Sequence, residues 1–248
     1  MTKRVALITG GTGGIGSAIC ESLAKVGQTV VANYFPAERE AAEQWLAEIR
    51  SRFADVHIEG ADVTNYSDCE AMIKRVEDAQ GPVDILVNCA GITRDKTLKR
   101  MTPDMWQAVI DTNLTSAYNT TQLVVNGMTE RGFGRIINIS SVNGQRGQFG
   151  QANYAAAKAG LHGFTMSVAQ ETAAKGVTVN TVSPGYVETA MTSAMPEEVL
   201  QAIVNSVPAR RMGKPEEIAN AVAWLADDNN AYTTGANIPV NGGLFMAA

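Results

Sequence analysis

Short apolar runs alternate with longer amphipathic segments along the whole chain, and that rhythm limits the possible folds more than any other feature. Residues 5–9, 29–33, 56–59, 85–88, 135–140 and 177–182 read as strands. They are rich in Val and Ile, as strands buried on both faces are. Between them, residues 15–26, 37–53, 67–79, 103–131 and 154–175 carry helical patterns. This succession predicts a parallel sheet with helices on both faces. Beyond residue 182 the pattern loosens into a loop over 183–213, with a short helix near 196–207. A helix over 214–226, with Pro215 in its first turn, and a strand over 236–241 bring the sheet to about seven strands. No linker, charge block or internal repeat divides the 248 residues, so one doubly wound α/β domain over 1–248 is expected.

Composition narrows the function classes. A hydrophobic content of 45% supports a substantial core. The net charge of −5 and pI near 5.1 argue against nucleic acid as a partner. Three cysteines, Cys20, Cys69 and Cys89, have no C-x-x-C spacing, so neither a disulfide framework nor a metal site is expected. The apolar run before the first glycines is too short for a signal-peptide core, and no run approaches the roughly 20 residues that span a bilayer. A cytoplasmic protein without a membrane partner is expected.

The first strand runs into Thr9-Gly10-Gly11-Thr12-Gly13-Gly14-Ile15-Gly16, and a helix follows. Glycines there permit a tight turn and close approach of backbone to ligand, and the helix N-terminus offers free N–H groups to a pyrophosphate. Gly11, Gly13 and Gly16 fit G-x-G-x-x-G, while Gly10, Gly14 and Gly16 fit T-G-x-x-x-G-x-G. The setting, strand then turn then helix, makes dinucleotide binding on a Rossmann-type sheet the preferred reading. The second strand ends Val31-Ala32-Asn33-Tyr34, without the acidic residue that bonds a ribose 2′-hydroxyl in NAD-preferring sheets. Arg39 follows and is suited to a 2′-phosphate, so NADPH is the expected cofactor.

Tyr154 and Lys158 stand four residues apart across three alanines, on one helix face. A neighbouring ammonium favours a phenolate, so the tyrosine is expected to titrate nearer neutrality and to act as a general acid/base. In isolation the pair reads as an ordinary surface Tyr and Lys; the rest of the chain argues otherwise.

With these motifs in place the chain resembles the short-chain dehydrogenase/reductase family over essentially its whole length. The likeness includes Thr9–Gly16, Asp62-Val63, Asn88-Cys89-Ala90-Gly91, Asn113, Ser141, Tyr154, Lys158 and Pro184-Gly185. The family's usual N-N-A-G reads N-C-A-G here, and Cys89 is small enough for the turn to survive. The resemblance implies that Tyr154 protonates a carbonyl oxygen, that Lys158 lowers its pKa and holds the nicotinamide ribose, and that Ser141 bonds the same oxygen. It implies that Asn113 holds a water in a proton relay behind Lys158. It sets Gly10, Thr12, Gly13, Gly14, Ile15, Gly16, Asp62, Val63, Asn88, Ala90, Gly91, Pro184, Gly185 and Thr189 along the cofactor. Of the adjacent Ser140 and Ser141, one is merely structural, and spacing favours Ser141 as the functional one.

Around Ser140–Tyr154, Gly91–Asp95, Ser183–Tyr186 and Asn241–Met246 the chain is most similar to acetoacetyl-CoA reductases of polyhydroxyalkanoate synthesis. That likeness implies an acyl pocket lined by Asp95, Gln148, Phe149, Gln151 and Tyr186, and NADPH-dependent reduction of acetoacetyl-CoA to (R)-3-hydroxybutyryl-CoA. Reductases of 3-oxoacyl-[acyl-carrier-protein] fit Gln151–Leu161 and Val240–Gly243 equally well. Their acidic partner would need a basic patch, to which Arg131 and Lys175 would contribute unless they only oppose helix dipoles. A non-catalytic nucleotide sensor on the same fold is the alternative of another class. Residues 186–213, with Met191, Met195 and Met212, are expected to form a substrate lid. The family resemblance implies a homotetramer.

Overall fold

A computed structural model of the chain describes residues 2–189, 192 and 196–246. These residues form a seven-stranded sheet that is parallel throughout. The strands are β1 (Val5–Thr9), β2 (Thr29–Tyr34), β3 (Val56–Gly60), β4 (Val83–Asn88), β5 (Gly134–Ile139), β6 (Val177–Pro184) and β7 (Asn237–Val240), ordered β3-β2-β1-β4-β5-β6-β7. The order reverses between β1 and β4, which opens a crevice at the strands' carboxyl ends.

Side chains of the strands alternate between two cores. Ala6 and Ile8 join a cluster with Val30, Ala32, Ile137 and Val182, covered by helices α1 (Gly14–Lys25) and α2 (Arg39–Arg50) and by the late helix Pro215–Ala226. Val5 and Leu7 face the opposite cluster with Val31, Leu86, Ile136 and Val179, which packs on α3 (Tyr66–Gln80) and the helices after β4 and β5. The period of two within runs that are apolar on both faces is what a doubly covered sheet requires. Among the described residues, no helix is long and apolar enough to cross a membrane.

The expected helix over 103–131 is broken. Helix α4 (Pro103–Ile110) passes through a π turn at Asp111–Thr115 before α5 (Ser116–Arg131). Asn113 sits in that turn, and its side chain is pulled out of the helix register: Oδ1 accepts the Ile92 N–H at 2.8 Å and Nδ2 donates to the Ile92 carbonyl at 2.9 Å. A helix of five residues, α6 (Val142–Arg146), was not expected; Ser141 caps it by accepting the Asn143 N–H. Helix α7 (Ala152–Thr172) then carries Tyr154 and Lys158. Helix α8 (Glu197–Ser206) matches the short helix expected near 196–207, and α9 (Pro215–Ala226) closes the set.

At the amino end of β5, away from the cleft, Arg135 is fully buried, 1% exposed. Its guanidinium donates to the carbonyls of Gly134, Gly176, Asp227 and Asp228 and lies over the Phe133 ring at 4.4 Å. A buried cation without these partners would be untenable, and the carbonyls in turn depend on it. Replacing Arg135 by Met is expected to destabilise the fold by about 3 kcal/mol through the stranded carbonyls. Urea unfolding at fixed protein concentration measures this, and a loss below about 1 kcal/mol contradicts it.

Candidate active site

The glycine turn between β1 and α1 is built so that no side chain fits where its backbone folds back. Gly10 has φ +61°, a left-handed conformation, and a Cβ there would lie 3.0 Å from Ala90 Cα. A Cβ on Gly16 would overlap the Gly10 carbonyl oxygen. Gly13 and Gly14 are exposed, and a Cβ on Gly13 would meet nothing closer than 4.0 Å, so the outer side of the turn is open. Helix α1 starts there without a side-chain cap or an acidic residue in its first turn. Uncapped N–H groups and a positive dipole end facing an open cradle fit the diphosphate of a dinucleotide. Thr12 and Ile15 are half-buried in the same turn, and Thr189 packs against Gly14, 3.1 Å from where its Cβ would be.

Asn33 holds this cradle and was not singled out from sequence. Its Oδ1 accepts the Gly10 N–H at 3.3 Å and its carbonyl accepts the Gly11 N–H at 2.9 Å. Its Nδ2 donates to the carbonyls of Tyr34, Glu59 and Ala61. The residue where an acid was sought is therefore a neutral strut. Arg39, at the start of α2, is exposed and pairs with Glu43 one turn on at 2.8 Å. Asp62 closes a turn by accepting from the Thr64 N–H and hydroxyl, and the Val63 carbonyl accepts from Asn119.

After β4, the Thr9 hydroxyl accepts the N–H groups of both Cys89 and Ala90, so the N-C-A-G turn keeps its shape with cysteine in it. The Asn88 side chain is wholly internal: it donates to Thr121 and Asn138 and accepts from Thr120. Asn138 continues to Thr165, which Thr181 also reaches. Any contact of Asn88 with a cofactor must therefore be through its main chain. Gly91 is exposed where Asn113 and Lys158 converge; a Cβ on it would lie 3.3 Å from Asn113 Oδ1 and 3.5 Å from Lys158 Nζ.

Lys158 is gripped by the turn from β5 into α6. Its Nζ donates to the Ile139 carbonyl at 2.7 Å, and its carbonyl accepts the Ser140 hydroxyl at 2.8 Å. A Cβ on Gly144 would lie 2.9 Å from Lys158 Cβ, so α6 rests directly on α7. Ser140 is thus a structural residue, whereas the Ser141 hydroxyl acts on the Tyr154 phenol and favours its ionised form.

The titration of the pair differs from the sequence reading. Burial pushes the Tyr154 phenol up, against the Ser141 hydroxyl, with Asp95 and Cys89 adding to the rise. Lys158, whose Nζ bonds Ile139 and lies over the ring 5.7 Å from its centre, does not pull it down, because burial strips its own proton before the phenol titrates. Burial instead lowers Lys158 to about 8. Helix spacing shows that the two groups are neighbours but not how much water each has lost.

Among the acyl-pocket candidates, Asp95 and Gln151 are joined directly. Asp95 accepts from Gln151 at 2.7 Å, and Gln151 accepts from Asn143 at 2.9 Å. Gln148 and Phe149 are exposed, the latter at 88%. Tyr186 is half-buried, and its carbonyl accepts the Gly213 N–H, while Glu188 N–H donates back to the Gly213 carbonyl. Pro184 ends β6, and a Cβ on Gly185 would lie 2.9 Å from Asn241 Cα. The stem of the 186–213 excursion is therefore pinned. Met191 and Met195, expected to line a lid, lie outside the described residues.

A family model described as Enoyl-(Acyl carrier protein) reductase matches residues 10–245. Acetoacetyl-CoA reductase of Allochromatium vinosum is 61% identical over 243 residues, covering 98% of this chain and 99% of that protein. Acetoacetyl-CoA reductase of Cupriavidus necator is 52% identical over 246 residues, covering 99% and 100%. A 3-oxoacyl-[acyl-carrier-protein] reductase of Vibrio harveyi is 47% identical over 244 residues, covering 98% of each.

Lys158 binds its proton near pH 8 when folded and near 10.5 when unfolded. Between these values the unfolded chain holds the extra proton, so stability rises with pH, and below pH 8 the full cost of the buried cation applies. Lys158→Met is expected to be more stable than the parent at pH 7, by about 2 kcal/mol after loss of the Ile139 bond, with the gap narrowing from pH 8 to 9.5. Urea unfolding across that range checks both the sign and the trend.

Proposed function

The chain belongs to the short-chain dehydrogenase/reductase family, and from that premise we propose that it is an acetoacetyl-CoA reductase. Its reaction is the NADPH-dependent reduction of acetoacetyl-CoA to (R)-3-hydroxybutyryl-CoA, which supplies polyhydroxybutyrate synthesis. The observation that carries this reading is the nearly full-length likeness to two acetoacetyl-CoA reductases, in a chain whose Ser141, Tyr154 and Lys158 form one cluster.

The α1 N-terminus and the glycine turn would hold the diphosphate of the dinucleotide, and Gly91 and Lys158 would lie toward its ribose. When bound, the cofactor supplies the hydride that the carbonyl carbon receives. Ser141 and Tyr154 donate hydrogen bonds to the substrate oxygen as negative charge grows there. The raised pKa of Tyr154 keeps its proton in place at neutral pH until that charge forms, which is the state a reduction needs. Lys158, titrating near 8, is poised to return a proton to the phenolate. Because the Asn113 amide is occupied by Ile92, a water behind Lys158 would be held by the main chain that the π turn loosens.

A carboxylate at the end of β2 would repel a 2′-phosphate; Asn33 does not, and the exposed Arg39–Glu43 pair is weak enough to exchange for one. The carrier-protein alternative loses two of its supports. Arg131 bonds the Val83 carbonyl at the start of β4, and Lys175 precedes β6, both at the end of the sheet away from the cleft. A sensor would have no use for a buried ammonium beside a phenol. Exposed Tyr118 and Met166, on α5 and α7, support the homotetramer, and three free cysteines suit the cytoplasm.

Steady-state assays at 340 nm with acetoacetyl-CoA and acetoacetyl-carrier protein, each with NADPH and NADH, test the reading. The CoA thioester with NADPH is expected to give the highest kcat/KM; a tenfold advantage for the carrier protein, or equal rates with NADH, refutes the corresponding part. Tyr154→Phe is expected to lower kcat by roughly a thousandfold while leaving NADPH binding intact. Near-normal turnover in that variant removes Tyr154 as the acid.

A further inference from the structure

One buried side chain beside the cleft is held in an arrangement that stability alone does not explain. Asn143, 8% exposed, lies on α6 two residues after Ser141. Its backbone N–H donates to Ser141 Oγ at 3.1 Å, and its Nδ2 donates to Gln151 Oε1 at 2.9 Å. Gln151 Nε2 donates in turn to Asp95 Oδ2 at 2.7 Å. The Oδ1 of Asn143 has no hydrogen-bond partner among the described residues.

The direction of this chain is dictated from its outer end. An ionised carboxylate only accepts, so Asp95 requires the NH₂ group of Gln151. That turns Gln151 Oε1 inward, where it must meet a donor, and Asn143 meets it with Nδ2. The same rotation leaves Asn143 Oδ1 buried and unpaired, which costs free energy. An asparagine present only to fill space would not need this orientation.

We infer that Asn143 is a positioning residue, which fixes Ser141 through its main chain and locks the Gln151 amide so that its remaining N–H faces the thioester of the substrate. This rests on the reading of the cleft as a 3-oxoacyl thioester site. Asn143 touches neither substrate nor cofactor; it acts through Gln151. Its loss frees Gln151 to rotate and weakens thioester binding, and the NADPH side of the site is untouched.

A double-mutant cycle on the full-length protein tests this, with acetoacetyl-CoA as substrate and NADPH binding followed by fluorescence. Asn143→Ala is expected to raise KM for the thioester about tenfold, the usual consequence of one lost buried hydrogen bond, with KM for NADPH within twofold. In a Gln151→Ala background the same substitution is expected to add nothing, because its target is gone. An independent arm reverses the polarity. In Asn143→Asp the new carboxylate faces Gln151 Oε1 and KM rises; adding Asp95→Asn lets the amide flip and restores its pairing, but its N–H then points away from the thioester and KM stays raised. An unchanged thioester KM in Asn143→Ala, full additivity with Gln151→Ala, an equal rise in the NADPH KM, or a parent-like KM in the D95N/N143D pair each overturns the inference. Should Asn143→Asp not fold, the alanine cycle decides alone. Failure of the parent enzyme to reduce acetoacetyl-CoA would sink the substrate assignment instead, and the same cycle with acetoacetyl-carrier protein still judges Asn143.

Discussion

The grip on Lys158 organises the site. An ammonium is expensive to bury, and one carbonyl bond at Ile139 offsets only part of that cost, as its lowered pKa records. The group stays in place because the main chain around it has no freedom to release it. Ser140 clamps its carbonyl, Gly144 brings α6 flush with its Cβ, and Gly91 closes the opposite side. Each contact comes from the segment after β4 or β5, at the carboxyl ends of central strands. Burial then acts on both members of the pair in the direction that disfavours charge: the phenol holds its proton more tightly and the ammonium less. A neutral phenol with a ready proton source behind it is the state that a carbonyl reduction starts from.

Such a clamp needs a rigid base, and a buried polar network provides it. Asn88 on β4, Asn138 on β5 and Thr181 on β6 are joined through Thr120, Thr121 and Thr165 on α5 and α7. Polar groups in a core tolerate few arrangements, because each unmatched partner is penalised. Strand register and helix placement are therefore tied together just beneath the cleft. The π turn at Asp111–Thr115 belongs to the same logic. The Asn113 amide bonds Ile92 across 21 residues of chain, and the helix widens by one residue to let it do so.

Much of this architecture was legible in the sequence because the signals are local. Apolar runs mark strands, the glycine run marks a turn opening a helix, and i, i+4 spacing puts Tyr154 and Lys158 on one face. What escaped depends on contacts that no local pattern carries. The break at Asn113 is decided by Ile92, and α6 is only five residues long, so it leaves no periodic trace. Asn33 looked like a missing acid, while its use is to bond Gly10, Glu59 and Ala61 on neighbouring segments. The direction of the Tyr154 shift was misjudged for a related reason. Proximity to a cation can be counted along a helix, but desolvation depends on everything packed around it, and here desolvation is the larger effect.

Asn33 also shows how one substitution bears on two levels at once. A carboxylate at the end of β2 would place a charge beside the glycine turn and face the ribose. An amide there has both an acceptor and a donor, so it serves the Gly10 N–H and three carbonyls simultaneously, which a carboxylate cannot do. The neutral residue therefore rigidifies the phosphate cradle and at the same time removes the negative charge that would oppose a 2′-phosphate. Arg39, six residues beyond and held by an exposed pair with Glu43, would be able to answer such a phosphate, because a solvent-screened ion pair holds it weakly. Under the proposed use of NADPH, cradle geometry and cofactor preference would follow from the same side chain.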